Sequence, residues 1–273
     1  MKARRIAILF HETDRNIDLS GYRITHLAPH WERDGLEVVP LFGTQEVIPA
    51  DLVIVHVDLS VVPEDYLAFA GRYPIALNGK VRDIRKSSFS TNLLRPGDDW
   101  RGPVIVKSEC NFAGHPEVVR GVPRLDGKGL VPIFRSTLDY KVFDRIQEVP
   151  DEDFECPDLV VQRFLPEMED GLFHVRMYMF LGDRSTCTRE GANHPIVKSE
   201  THVFSETVTP HPDIIAMRRK LNFDYGKFDY VIHNGEAILL DLNKTTGAVS
   251  QITPKIEAVR RNLAQGLYSY FEA

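Results

Sequence analysis

Short, uninterrupted apolar runs alternate with segments of helical period along the first part of the chain. Arg5–Phe10 (RIAILF) has no polar face, the pattern of a strand buried on both sides. In Tyr22–Asp34, Ile24, Leu27, Ala28 and Trp31 recur at helical spacing before Gly35 closes the segment. Leu36–Phe42, Leu52–Val57 and Pro74–Leu77 read as further strands, and Pro63–Gly71 as a helix opened by proline and closed by glycine. This alternation predicts a small parallel α/β unit over residues 1–78. Ligands of such units bind beyond the carboxyl ends of the strands, here His11-Glu12 and His56-Val57-Asp58.

The pattern then changes. Val81–Leu94 is basic and Ser-rich and reads as a helix carrying Arg82, Arg85 and Lys86. Pro103–Lys107 (PVIVK) is a strand ending in lysine, followed by an irregular stretch, Ser108–Gly129, and a helix over Leu138–Gln147. Asp158–Phe164 (DLVVQRF), Phe173–Leu181 and Ser185–Arg189 read as strands, the last two joined at Gly182-Asp183. A helix at Asp213–Leu221 precedes two apolar runs, Phe228–His233 and Glu236–Asn243, joined by Asn234-Gly235. Asn-Gly between such runs signals a hairpin, because both residues tolerate positive φ. Lys255–Phe271 closes the chain as an amphipathic helix with Ile256, Val259, Leu263 and Leu267 on one face.

Composition narrows the function. The chain has 273 residues, enough for two compact units, and a net charge of −6, which argues against a nucleic-acid partner. Cys110, Cys156 and Cys187 are odd in number and form no CxxC pair, pointing to a reducing, cytoplasmic setting without a zinc site. The longest N-terminal apolar run, Ile6–Phe10, is too short for a signal core or a membrane span. The P-loop, GxGxxG, GxSxG and HExxH patterns are all absent.

Candidate chemistry gathers at the last hairpin. Asp241 and Asn243, two apart on a strand, share a face, and Asp229 enters the same end of the hairpin. Oxygen groups of this kind suit a hard divalent cation such as Mg²⁺. A regular two-residue hairpin would set Asp229 opposite Leu240 and splay the two aspartates, so a shared metal requires a one-residue slip; Gly235 suits a G1-type bulge. Upstream, Lys107 either extends to solvent or aims its ammonium at phosphate oxygens. Arg176, inside an apolar strand, and Arg189, in the next strand, each require either an acid partner or a phosphate. Cations beside an oxygen-ligated metal are what phosphoryl transfer requires.

The order of these pieces, from Lys107 through VVQRF, Arg176, Arg189 and Asp229 to Asp241-x-Asn243, resembles the ATP-grasp superfamily. The likeness is closest to the ribosomal-protein-S6-modification-type ligases and glutathione synthetases, over Pro103 to Gly247. It implies an α/β fold, α+β in its C-terminal part: a Rossmann-like preATP-grasp domain (1–78), a central lid subdomain (79–160) and a C-terminal subdomain with the metal site (161–273). It implies ATP with Mg²⁺ (or Mn²⁺), Lys107 on the α/β-phosphates, Lys86 (Lys80 is the poorer candidate) as the earlier basic nucleotide-binding residue, and Gln162, Arg163 and Phe164 reading adenine. Arg176 and Arg189 would steady the transferring phosphoryl group, and Asp229, Asp241 and Asn243 would hold the metal.

The implied reaction joins a small-molecule or peptide carboxylate to an amine through an acyl-phosphate, in a homo-oligomer. A kinase acting on a hydroxyl and a non-catalytic nucleotide binder are the alternatives. Acceptor positions among His11, Glu12, His56, Asp58, Asn193 and Lys198 stay unassigned. The chain departs from the family pattern in four places. Asp241 replaces glutamate, Asn243-Lys244-Thr245-Thr246-Gly247 replaces a proline-containing tail, the loop Ser108–Gly114 is poor in glycine, and Glu109 puts an acid beside the phosphate path.

Overall fold

The computed structural model describes residues 4–122, 139–198, 201–249 and 252–271. Its N-terminal unit consists of β1 (Arg5–Phe10), α1 (Arg23–Arg33), β2 (Glu37–Phe42), β3 (Leu52–Val55), α2 (Glu64–Ala70) and β4 (Ala76–Leu77). The strands form a parallel sheet in the order β2-β1-β3-β4. Continuous apolar runs are explained by the two cores they feed. Ile6, Ile8, Phe10 and Ile54 pack with Ile24, Leu27 and Trp31 of α1. Ala7, Leu9, Val53 and Val55 pack on the opposite face with Tyr66 and Phe69 of α2. Strand alternation thus sends neighbouring residues into different cores, and both need to be apolar.

The middle of the chain holds α3 (Lys86–Phe89), β5 (Val104–Ser108), α4 (His115–Val119), β6 (Lys141–Phe143), α5 (Asp151–Glu155) and β7 (Leu159–Arg163). β5 lies between β6 and β7 in an antiparallel three-stranded sheet. Two expected helices are absent as such. The Val81–Leu94 helix shrinks to the four residues of α3, because its flanks are tied into other ladders: Ile84 N–H donates to Ser60 at 2.9 Å and Leu94 N–H to Val161 at 2.8 Å. In place of the helix expected over Leu138–Gln147 stands β6, whose residues pair with Val104–Val106, followed by a 3₁₀ turn at Ile146–Glu148; Leu138 itself lies outside the described residues, as do residues 123–129 of the expected irregular stretch. β7 belongs to the sheet of β5, so the division at residue 160 runs through a strand.

Next come β8 (Glu167–Glu169), β9 (Leu172–Leu181), β10 (Arg184–Ala192), β11 (His202–Thr207), α6 (Pro212–Lys220), β12 (Tyr225–His233), β13 (Glu236–Asn243) and α7 (Pro254–Gln265). The larger sheet is antiparallel, in the order β11-β10-β9-β12-β13, with β8 on β9. Leu263, Ala264 and Leu267 enter the core beneath α1, where Trp31 Nε1 donates to the Ala264 carbonyl at 2.9 Å. The C-terminal helix therefore locks the N-terminal sheet onto the large one.

Candidate active site

The two antiparallel sheets face each other across a cleft. Ile105 and Lys107 of β5 and Gln162–Pro166 line one side. Val175 and Met177 of β9, Glu190 of β10, Lys227, Asp229 and Val231 of β12, and Leu240 and Asp241 of β13 line the other, with Lys198 from the loop after β10. One region is apolar and aromatic; the rest collects lysines and carboxylates.

The slip that a shared metal requires is present. Asp229 stands opposite Asp241, Tyr230 opposite Leu239, and Leu240 is the extra residue between them. The slip does not arise at Gly235, where the sequence predicts a bulge: the turn itself is a two-residue one, with Asn234 at φ 52° and Gly235 at φ 85°. Placing the bulge at Leu240 has a second effect, because its carbonyl leaves the ladder and accepts a hydrogen bond from Lys107 Nζ at 3.1 Å. The bulge thus sets both the register of the aspartates and the position of the lysine. Close approach of the strands near this site depends on Gly226, where a Cβ would come within 2.5 Å of the Asn243 carbonyl.

Four lysines surround the two aspartates. Lys86, 1% exposed, lies behind Asp241 with Nζ 3.4 Å from Oδ1, and Lys227 Nζ lies 2.9 Å from Asp229. Burial pulls the Lys86 ammonium down, but Asp241, Tyr140 and Glu109 together outweigh it and raise its pKa. Lys107 goes the other way: burial, with Lys86 and Lys198 adding repulsion, overcomes Asp241 and lowers it to about 7. Burial also lowers Lys198, whose ammonium has no hydrogen bond or ion pair among the described residues. For Asp241, burial alone would raise the carboxyl, and the four lysines hold it below its ordinary value. The positive partner that this buried carboxylate requires is, in the first place, Lys86.

A hard cation fits the carboxylates present. The buried Oδ1 of Asp229 has no hydrogen-bond partner, while that of Asp241 faces only the Lys86 ammonium at 3.4 Å. Among the described residues no group of three or more His, Cys, Asp or Glu side chains forms a metal cluster, so the set suits an ion completed by phosphate and water. Asn243 Oδ1 accepts from Asn111 Nδ2 at 2.7 Å, which ties the segment after β5 to the metal end of the hairpin. Glu109 is turned out of the phosphate path: its carboxylate accepts from the backbone N–H and hydroxyl of Ser87.

Arg176 and Arg189 stand opposite each other in the β9–β10 ladder, on the face away from the cleft-lining Val175 and Glu190. Glu167 holds both, with contacts of 2.8 Å to Arg176 Nη2 and 3.1 Å to Arg189 Nε; Glu169 and Glu206 add to Arg189. Their acid partners come from the protein, and the structure does not bring them to the aspartates. At the expected adenine-reading stretch, the N–H groups of Arg163 and Phe164 already donate to Asn92 and Pro103 at 2.9 Å each, and Gln162 Nε2 donates to Ser90 at 2.8 Å. These residues line the cleft, but those donors are engaged within the fold.

Lys227 went unread in the sequence, although its spacing of two from Asp229 puts it on the same face, the rule that grouped Asp241 with Asn243. Lys198 sits in a loop without periodicity, and its place in the cleft is set by tertiary structure. Of the unassigned acceptor positions, Asp58 accepts from Thr245 at 2.5 Å and Tyr22 at 2.8 Å, joining the N-terminal unit to the tail after β13. His56 is fully buried and burial lowers its pKa to about 4, so it is neutral; Asn193 is exposed.

No protein-family model and no curated protein sequence matches the chain. Solved structures match over nearly its whole length. D-alanine–D-alanine ligase from Bacillus anthracis aligns at TM-score 0.52 and 13% identity, over 99% of this chain and 97% of that one. A RimK domain ATP-grasp protein from Sphaerobacter thermophilus aligns at 0.51 and 12%, over 98% of each. An ATP-grasp ligase associated with ribosomally made peptides, from Chryseobacterium gregarium and solved with ADP and a leader and core peptide, aligns at 0.50 and 12%, over 99% and 97%.

Proposed function

On the ATP-grasp fold that this chain has, we propose that it is an ATP- and Mg²⁺-dependent carboxylate–amine ligase. The observation that carries this reading is the cleft, where three lysines and two aspartates from four separate segments converge beside an apolar region, with Lys86 packed behind Asp241. The adenine ring would lie in the apolar region along Gln162–Pro166. Lys107 and Lys198, the two ammonium groups without a carboxylate partner in contact, would take the phosphates, and Lys227 the transferring group. Asp229 and Asp241 would hold Mg²⁺, with Asn243 the next oxygen on the same face. When bound, the metal neutralises charge on the phosphates. Lys86 keeps Asp241 ionised and oriented. The protein's part is positioning and electrostatic stabilisation of the phosphoryl group as a substrate carboxylate attacks it.

The solved relatives named as ligases support amide formation over transfer to a hydroxyl. A screen of amino acids and short peptides for MgATP-dependent ADP release tests the reading, with mass analysis of the product. An amide with free phosphate supports it. A phosphate ester would make the chain a kinase, and ADP release unaffected by Asp241→Ala would remove the proposed site altogether.

A further inference from the structure

Glu190 stands in the same cleft and has no part in the nucleotide chemistry above. It lies directly opposite Val175 in the β9–β10 ladder, so both project to the cleft face. The two aspartates of the cleft each have a lysine in contact, Asp229 at 2.9 Å and Asp241 at 3.4 Å. Glu190, half-buried, has no hydrogen bond or ion pair of its side chain among the described residues. Burial raises its pKa; the charged groups that face it are His202 from β11 and Lys227 and Asp229 from β12, the first two lowering and the last raising it. It is not a third metal ligand, since no such cluster forms among the described residues. From strand spacing and rise, roughly 12 Å separates the backbones of Glu190 and Asp229, two strands across and two residues along. That span leaves room for a phosphoryl group and a second substrate between the side chains.

A half-buried carboxylate with no hydrogen bond or ion pair of its own among the described residues is free to take a cationic group, and in a substrate cleft a ligand can supply one. We propose that Glu190 is the recognition group for the amine acceptor, binding its nitrogen as an ammonium on the far side of the transferring group from Asp229 and Asp241. The proposal rests on the ligase reading. It makes the acceptor a substrate with a free, protonated amine, and sets Glu190 apart from nucleotide binding.

The test uses the full chain and Glu190→Gln, with Glu190→Asp as the conservative variant. MgADP affinity by calorimetry is expected to stay within two-fold in Glu190→Gln; a ten-fold loss would assign Glu190 to the nucleotide and overturn the proposal. In MgATP-dependent turnover, Glu190→Gln is expected to raise KM for the ammonium acceptor at least ten-fold, with Glu190→Asp intermediate. Hydroxamate formation with hydroxylamine, largely uncharged at neutral pH, should stay within two-fold. An unchanged KM, or equal losses with both nucleophiles, overturns the assignment. If the wild type makes neither amide nor hydroxamate, the ligase reading fails by itself. Glu190 is then judged by glycinamide binding to the MgADP-loaded protein, followed by NMR: binding lost in Glu190→Gln supports the site, and binding equal in both proteins, or absent from the wild type, overturns it.

Discussion

Replacing Asp241 by asparagine removes the charge around which the lysines of the cleft are arranged. Lys86 is 1% exposed and Asp241 18%, so the pair is buried on one side and nearly so on the other. Breaking a buried ion pair by deleting one partner costs about 3–5 kcal/mol, most of it the uncompensated charge left behind. Here the lower end applies, because Lys107, with a pKa of about 7, can shed its proton as repulsion rises. The expected loss is about 3 kcal/mol, or roughly 6–12 °C in Tm for a protein of this size. Lys86→Met should cost less than half as much, since Asp241 keeps the Coulombic support of Lys107, Lys198 and Lys227. The double variant should recover part of the loss, as apolar replacement of a whole buried pair often does. Urea and thermal unfolding of the four proteins, without nucleotide, measure the cycle. Equal stability of Asp241→Asn and wild type, or a Lys86→Met loss exceeding that of Asp241→Asn, would refute the view that Asp241 compensates the lysines.

Other outcomes follow from the same structure. Lys198→Met should weaken MgADP binding by about 1.5–3 kcal/mol, the worth of a hydrogen bond to a charged group, while leaving unliganded stability intact, because the ammonium has no partner to lose among the described residues; calorimetry and thermal melts read the two effects. Glu167→Gln leaves Arg176 and Arg189 short of their shared acid and should destabilise by about 3 kcal/mol, with nucleotide affinity per folded molecule unchanged. A fall in affinity would return the arginines to the site. Stability without nucleotide should also rise with pH. Lys107 and Lys244 have folded pKa values of about 7 and about 8, against 10.5 for an unperturbed lysine. The unfolded chain therefore binds more protons across that window, and unfolding free energy increases from pH 7 towards 10. Melting temperatures flat across this range would count against both buried lysines.

Much of the fold could be read from the chain because its signals are local. Asn234-Gly235 marked the hairpin, RIAILF declared a strand covered on both faces, Leu52–Val57 read as a strand, and the apolar face of Ile256, Val259, Leu263 and Leu267 marked the last helix. The Val81–Leu94 segment, basic and Ser-rich, read as a helix, whereas Ser60 and Val161 offer carbonyls to its backbone from elsewhere in the fold. The Leu138–Gln147 segment likewise read as a helix, whereas β5 pairs with Lys141–Phe143 within it.

For the site, the sequence by itself determined which residue types stand along which strands: Lys107 next to the last residue of β5, Asp229 with Lys227 two residues before it in β12, and Asp241 with Asn243 two residues after it in β13. Period-two alternation fixes which of these share a face, and no tertiary contact can change that without a bulge. Tertiary structure decided the rest. It placed the bulge at Leu240, where the freed carbonyl meets Lys107, and gave Arg176 and Arg189 to Glu167. It also brought Lys198 and Glu190 to the cleft and set Lys86 behind Asp241. Register and charge pairing are settled by contacts between residues far apart in the chain, so one strand's pattern narrows a charged residue's partners to a sign and a face, and packing picks the partner.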